Sequence, residues 1–139
     1  MKQITMTTDR VAADSNILLY LHDESDKRKR EIAKDILSDN PKISTQVISE
    51  FINVARRQLD LPKADIVVYC ADLLQDCEII PVLHDTLTNA AALIQKYDFQ
   101  IFDSIIVASA LEASCTILYS EDMQHGLVID GLKIINPFI

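Results

Sequence analysis

Apolar positions along the chain alternate between two rhythms: short runs of three to five residues, and longer stretches in which they recur every three or four. Val11-Ala12-Ala13, ending at Asp14, reads as a buried first strand. Ser15-Asn16 then offers a cap for a helix whose body is Ile17 to Leu21. After a break at His22 to Asp26, Lys27 to Leu37 resumes helical spacing, with Ile32, Ile36 and Leu37 inward, until Asn40-Pro41 stops it. Lys42 to Thr45 predicts a second strand running directly into a helix over Gln46 to Leu59, where Val47, Phe51 and Val54 share a face. Further helices are expected over Lys63 to Leu74, Asp85 to Tyr97 and Phe102 to Ala113. The remaining strands are expected at Cys77 to Pro81, Thr116 to Tyr119 and Leu132 to Ile135. Five short apolar strands separated mainly by helices of ten residues or more predict an α/β fold with a mainly parallel sheet, because parallel strands need crossovers and are buried on both faces.

Composition narrows the chemistry. The 139 residues suffice for one core, so a single domain over residues 1–139 is expected, with Met1 to Asp9 as an N-terminal extension of unassigned role. At 49% hydrophobic and 24% charged, with mean hydropathy +0.14, the chain is too apolar for disorder and has apolar surface to spare for a partner. Twenty-one acidic against thirteen basic residues give a net charge of −8, which argues against a broad basic nucleic-acid surface. With only Gly126 and Gly131 there is no glycine-rich phosphate loop. Cys70, Cys77 and Cys115 show no paired spacing, and a reduced, cytoplasmic setting is expected. The N-terminus carries no secretory pattern, and the longest apolar run, Ile17 to Leu21, is too short to cross a bilayer, so no membrane association is expected.

In an open parallel sheet, ligands gather beyond the carboxyl ends of the strands. Asp14 directly follows the first strand, and Asp122 lies just past the fourth. Glu50 falls early in the helix after the second strand, and Asp103 opens the helix that leads into the fourth. Each has a plain structural role open to it: cap, helix-dipole partner, solvated helix residue or turn former. The apolar neighbours of Asp14 and Asp103 nevertheless predict partial burial, where an unpaired carboxylate is costly. Clustered carboxylates with few basic residues nearby suit a hard divalent ion, Mg²⁺ or Mn²⁺, and metal-assisted phosphodiester hydrolysis is the reaction class this suggests.

These same stretches carry a resemblance. Val11 to Tyr20, containing Asp14-Ser15-Asn16, resembles the opening motif of PIN-domain ribonucleases. Gln46 to Phe51 resembles the helix that supplies their glutamate. Phe102 to Ala110 and Tyr119 to Gly126 resemble their third and fourth acidic motifs. Four motifs in order, spanning Arg10 to Phe138, are most similar to the VapC-type toxins of VapBC toxin–antitoxin modules. The resemblance implies a PIN-like three-layer α/β/α sandwich with a mainly parallel five-stranded sheet. It also implies an acidic site of Asp14, Glu50, Asp103 and Asp122, with Asp14 and Asp103 as direct metal ligands. The implied activity is hydrolysis of RNA to a 5′-phosphate and a 3′-hydroxyl, and the implied partners are a VapB-like antitoxin and a second copy in a homodimer. Ser120 stands where the family more often has Thr, keeping the hydroxyl, and the Ser120-x-Asp122 pattern favours Asp122 over the adjacent Glu121.

Other residues are more evenly balanced. Asn16 can orient Asp14 or merely shape a turn, and Ser120 can bond within the acidic cluster or be an ordinary loop hydroxyl. Arg56 and Arg57 can contact RNA phosphates or belong to a solvated helix face, and His125 reads as a loop histidine. Alternatives to the nuclease are a phosphotransfer enzyme, a receiver-type signalling domain, and a PIN scaffold without turnover. The first wants a second Asp where Asn16 stands, and the second wants an accepting Asp where Ile79-Ile80-Pro81 stands.

Overall fold

A computed structural model describes residues 9–139. In chain order the elements are β1 (Val11–Ala13), α1 (Ser15–Tyr20), α2 (Lys27–Leu37), β2 (Lys42–Ser44), α3 (Thr45–Arg57), α4 (Lys63–Asp76) and β3 (Glu78–Ile80). There follow α5 (His84–Tyr97), α6 (Ile101–Glu112), β4 (Ile117–Tyr119), β5 (Val128–Ile129) and β6 (Leu132–Ile135). The strands form one sheet in the order β3-β2-β1-β4-β6-β5, parallel throughout except for the β5–β6 pair.

The α/β architecture expected from the apolar rhythm is the one observed, with one strand more than the five predicted. Val128–Ile129 pairs antiparallel with the start of β6 across the turn at Asp130-Gly131, both of positive φ. Two residues are too few to show an alternation, so this edge strand left no periodic signal. The first helix is capped by Asp14 and not by Ser15-Asn16. Asp14 stays extended and its carboxylate accepts from the Ser15 amide, which places Ser15 already inside the helix. Similarly, the expected strand over Lys42 to Thr45 stops at Ser44, whose Oγ takes the Val47 amide (3.2 Å) and starts α3 early. Cys77, expected to begin the third strand, is the C-cap of α4 instead. All three cysteines are free.

Helices cover both faces of the sheet. Successive strand residues point to opposite sides, and β1 shows the division. Ala12 belongs to the larger core, with Phe51, Leu118, Leu132 and Ile134. Ala13 faces a smaller one built from Ile17, Ala33 and Phe138, against which Tyr20 and Tyr119 pack. The first three motif segments thereby lie on or beside packed elements, and the fourth follows β4 directly. Upstream of β1, Asp9 and Arg10 are tied to the start of β4 through Thr116, whose hydroxyl donates to Asp9 and accepts from the Arg10 amide. Residues 1–8 of the expected N-terminal extension lie outside the described residues. Among the described residues no helix is long and apolar enough to cross a membrane.

Candidate active site

The strand order reverses at β1. The chain moves from β1 outward to β2 and β3, then returns to place β4 on the other side of β1. This switch point opens a crevice at the carboxyl ends of β1 and β4. Asp14 follows β1 immediately, and its amide donates to Tyr119 O at the end of β4 (2.9 Å). Ser120-Glu121-Asp122 continues from β4 along the same rim.

Asp14 is 4% exposed, and its oxygens are held from three sides. Oδ1 accepts from the Ser15 amide (2.7 Å), and Oδ2 accepts from Ser120 Oγ (2.7 Å) and, at a longer 3.5 Å, from Asn16 Nδ2. Asn16 is a bridge. Its Nδ2 also donates to Asp122 Oδ2 (3.2 Å), while its Oδ1 accepts from the Glu121 amide (3.2 Å). One amide side chain therefore ties both aspartates to the loop after β4. Ser15 makes a second bridge, its hydroxyl lying 3.1 Å from Glu50 Oε2 and 3.4 Å from Asp14 Oδ1. Gln46, one turn before Glu50 on α3, touches Glu50 Oε1 at 3.5 Å. Asp103, in the first turn of α6, is the exception: it is half-buried and accepts no hydrogen bond among the described residues.

Electrostatics tie Asp103 to the others. Its carboxyl is pushed up to about 6, first by burial and then by the negative charges of Asp14, Glu50 and Asp122. Burial raises Asp14 as well. The hydrogen bonds from Ser120 and Ser15 oppose that rise, and Asp122 adds to it. Glu50 is raised by burial and by Asp14, against the bonds from Ser15 and Gln46. Among the described residues, no lysine or arginine offsets the repulsion at any of these three. The four carboxylates anticipated from the sequence are thus brought into mutual reach at one rim.

The neighbouring acid is otherwise engaged. Glu121 pairs with Lys29 (2.5 Å) and accepts from Tyr20 OH (2.6 Å), on the side of the smaller core. His125 Nδ1 accepts from the Asn136 amide (2.9 Å), which pins the closing segment and matches its reading as a loop histidine. Arg56 lines an open groove of about 420 Å³ that includes Glu50; Arg57, in the last turn of α3, does not line it. Ser15 and Gln46 are contacts the sequence pattern did not single out. Ser15 reads there only as a cap, although its place between Asp14 and Asn16 was the available signal.

The donor set is all oxygen, partly dehydrated and short of positive charge, which fits a hard divalent ion. Among the described residues, no three His, Cys, Asp or Glu side chains close into a ready-made cage. An ion here would take part of the set and complete its shell with water, as Mg²⁺ commonly does.

Three comparisons bear on this arrangement. A comparison with curated proteins finds no match. Among solved structures, the chain is similar to a toxin–antitoxin complex from Klebsiella pneumoniae, with 24% identity and a TM-score of 0.68 over 93% of this chain and 98% of that one. It is also similar to the Mycobacterium tuberculosis toxin VapC20, described as cleaving the sarcin-ricin loop, with 19% identity and a TM-score of 0.65 over 81% and 89%. A third is VapBC2 from Rickettsia felis bound to a fragment of its promoter DNA, with 17% identity and a TM-score of 0.64 over 89% and 96%. At these identities the likeness is one of fold. A PIN domain family model matches residues 11–126, which takes in β1, all six helices and all four candidate carboxylates. The chain belongs to the PIN domain family.

Proposed function

We propose that this protein is a divalent-metal-dependent endoribonuclease and the toxin of a type II toxin–antitoxin pair. The observation that carries the reading is the convergence of Asp14, Glu50, Asp103 and Asp122 on one rim, where among the described residues no lysine or arginine offsets the repulsion at Asp14, Glu50 or Asp103. Family membership and the toxins among the similar structures support it.

In this reading Asp14 and Asp103, with Asp122 and Glu50, hold Mg²⁺ or Mn²⁺. A bound ion supplies an acidified water and stabilises charge developing on phosphoryl oxygen. The chain's own contribution is arrangement. Ser120 and the Ser15 amide hold the Asp14 oxygens in place and oppose the upward shift that burial imposes, and Asn16 keeps Asp122 beside it. Among the described residues Asp103 has no donor to satisfy its oxygens, which leaves them available to an external cation or to a proton. RNA is gripped locally through the ion and a few side chains such as Arg56, in keeping with the net charge of −8. A VapB-like antitoxin, placing a basic side chain against the carboxylates, and a homodimer complete the proposed assembly.

The test is RNA cleavage by the purified chain with Mg²⁺, with Mn²⁺ and with EDTA, alongside Asp14→Asn. Cleavage by the parent that EDTA and Asp14→Asn each abolish, with the variant folded by circular dichroism, is the expected result. Cleavage that survives both would overturn the assignment of these residues.

A further inference from the structure

The groove beside Glu50 is left unexplained by the carboxylate cluster. It opens between α3 and the start of α6 and is lined by Gln46, Glu50, Ile52, Asn53, Arg56 and Phe102, along with Ser49. It is an open groove of about 420 Å³. Phe102 immediately precedes Asp103 and is 59% exposed, an aromatic ring held in solvent at the edge of a polar site. Asn53 and Arg56 are exposed, and neither has a side-chain hydrogen bond or ion pair among the described residues. The groove therefore offers an aromatic face, a free amide carrying both donor and acceptor, and a free guanidinium.

We infer that this groove is a nucleotide subsite, receiving an unpaired RNA base next to the phosphate held at the carboxylates. The inference rests on the nuclease reading and adds where the substrate lies. Phe102 supplies the stacking surface, Asn53 and Gln46 face a base edge, and Arg56 meets a neighbouring phosphate. Single-stranded RNA is recognised in this way, by stacking on aromatic rings and by hydrogen bonds to exposed base edges. Continuity supports the placement: Glu50 belongs both to the groove and to the carboxylate cluster, so a chain crossing one crosses the other. The lining mixes an aromatic ring and an aliphatic side chain with polar and charged groups. Ile52 is its one aliphatic residue, while four of the seven are uncharged polar or cationic.

The experiment measures binding separately from cleavage. Short fluorescein-labelled oligoadenylate and oligouridylate are titrated by anisotropy against the full chain carrying Asp14→Asn, with and without Phe102→Ala or Phe102→Trp. Cleavage by the parent chain is followed in parallel. Loss of one stacked base should weaken binding roughly 5- to 100-fold in Phe102→Ala, and Phe102→Trp should restore it. An abasic nucleotide at one position should weaken binding to Asp14→Asn alone but add nothing once Phe102 is Ala. Asn53→Ala should alter the preference between the two oligomers while leaving affinity for the abasic one unchanged. RNA affinity unaffected by Phe102→Ala, or no measurable RNA affinity at all, overturns the subsite; so does a groove whose substitution weakens only a protein partner. Binding with these dependences but no cleavage by the parent sinks the nuclease reading and leaves the subsite standing. Cleavage by the parent with no Phe102 dependence does the reverse.

Discussion

Replacing Asp103 by Asn should make the metal-free protein more stable, and the gain should vanish in acid. Asp103 faces three other carboxylates from a half-buried position, and its carboxyl is raised from an ordinary 3.8 to about 6. A raised acid favours the protonated form in the folded state. Its contribution to stability is therefore present in full below about 3.8 and is lost as pH climbs through about 6. At about 1.4 kcal/mol per pH unit, the interval bounds the destabilisation near neutrality at about 3 kcal/mol. Water screens a half-buried group, which brings the expected figure to about 1–2 kcal/mol. Asn has the same shape and no charge, so Asp103→Asn should recover that amount. For a chain of this length, it corresponds to a rise in Tm of about 3–6 °C. Thermal melts in EDTA at about pH 7.5 and about pH 4 give the two ends of the curve. A variant that melts no higher than the parent near pH 7.5, or a gap that persists unchanged in acid, would refute the idea of unrelieved repulsion. Magnesium should raise the parent's Tm and do less for the variant, because an ion and a neutral residue relieve the same repulsion.

Asn16→Ala should lower RNA cleavage about 10- to 100-fold, as loss of a ligand-orienting partner commonly does, with a matching rise in the metal concentration needed. Asn16→Asp should not rescue it, because the donor to Asp14 and Asp122 is gone; steady-state cleavage under metal titration measures both. Phe51→Ala, at a position with no exposure in the larger core, should cost about 3–5 kcal/mol in urea unfolding, whereas Phe102→Ala should stay within about 0.5 kcal/mol.

The apolar rhythm disclosed most of the fold because the parallel strands are buried on both sides, leaving short uninterrupted apolar runs such as Thr116 to Tyr119. What it missed were elements defined by one hydrogen bond or one turn. The helix starts at Ser15 and Thr45 depend on which side chain captures an amide, Asp14 and Ser44 in the event, and β5 depends on the turn at Asp130-Gly131. The candidate carboxylates were legible from their positions beyond strand ends, but their connections were not. Nothing in the spacing says that Asn16 reaches Asp122 across 106 positions or that Glu121 turns the other way to Lys29. Those outcomes follow from β4 pairing directly with β1, and the order of strands in a sheet is a long-range property. Phe102 was equally visible as an apolar residue, but its exposure emerged only once α6 was placed with its first turn at the rim.

The four carboxylates are not equivalent, and the fold makes them unequal. Asp14 is the most buried of them and receives the most donors, so burial and hydrogen bonding act on it in opposite directions. Asp122 and Glu50 each lean on one bridging side chain, Asn16 and Ser15 respectively. Asp103 stands on a separate helix, has no donor among the described residues, and receives the repulsion of the other three. A site organised in this way is rigid where Asp14 joins the two central strands and unsatisfied where α6 begins. In the proposed reading, an entering cation would meet a carboxylate anchored at the end of β1 and another at the start of α6. Binding there would relieve the repulsion that, in the metal-free protein, pushes the Asp103 carboxyl toward its protonated form. The same argument explains why the buried aspartate is furnished with hydroxyl and amide donors instead of a lysine. A fixed ammonium beside Asp14 would neutralise the negative charge on which the proposed metal binding depends.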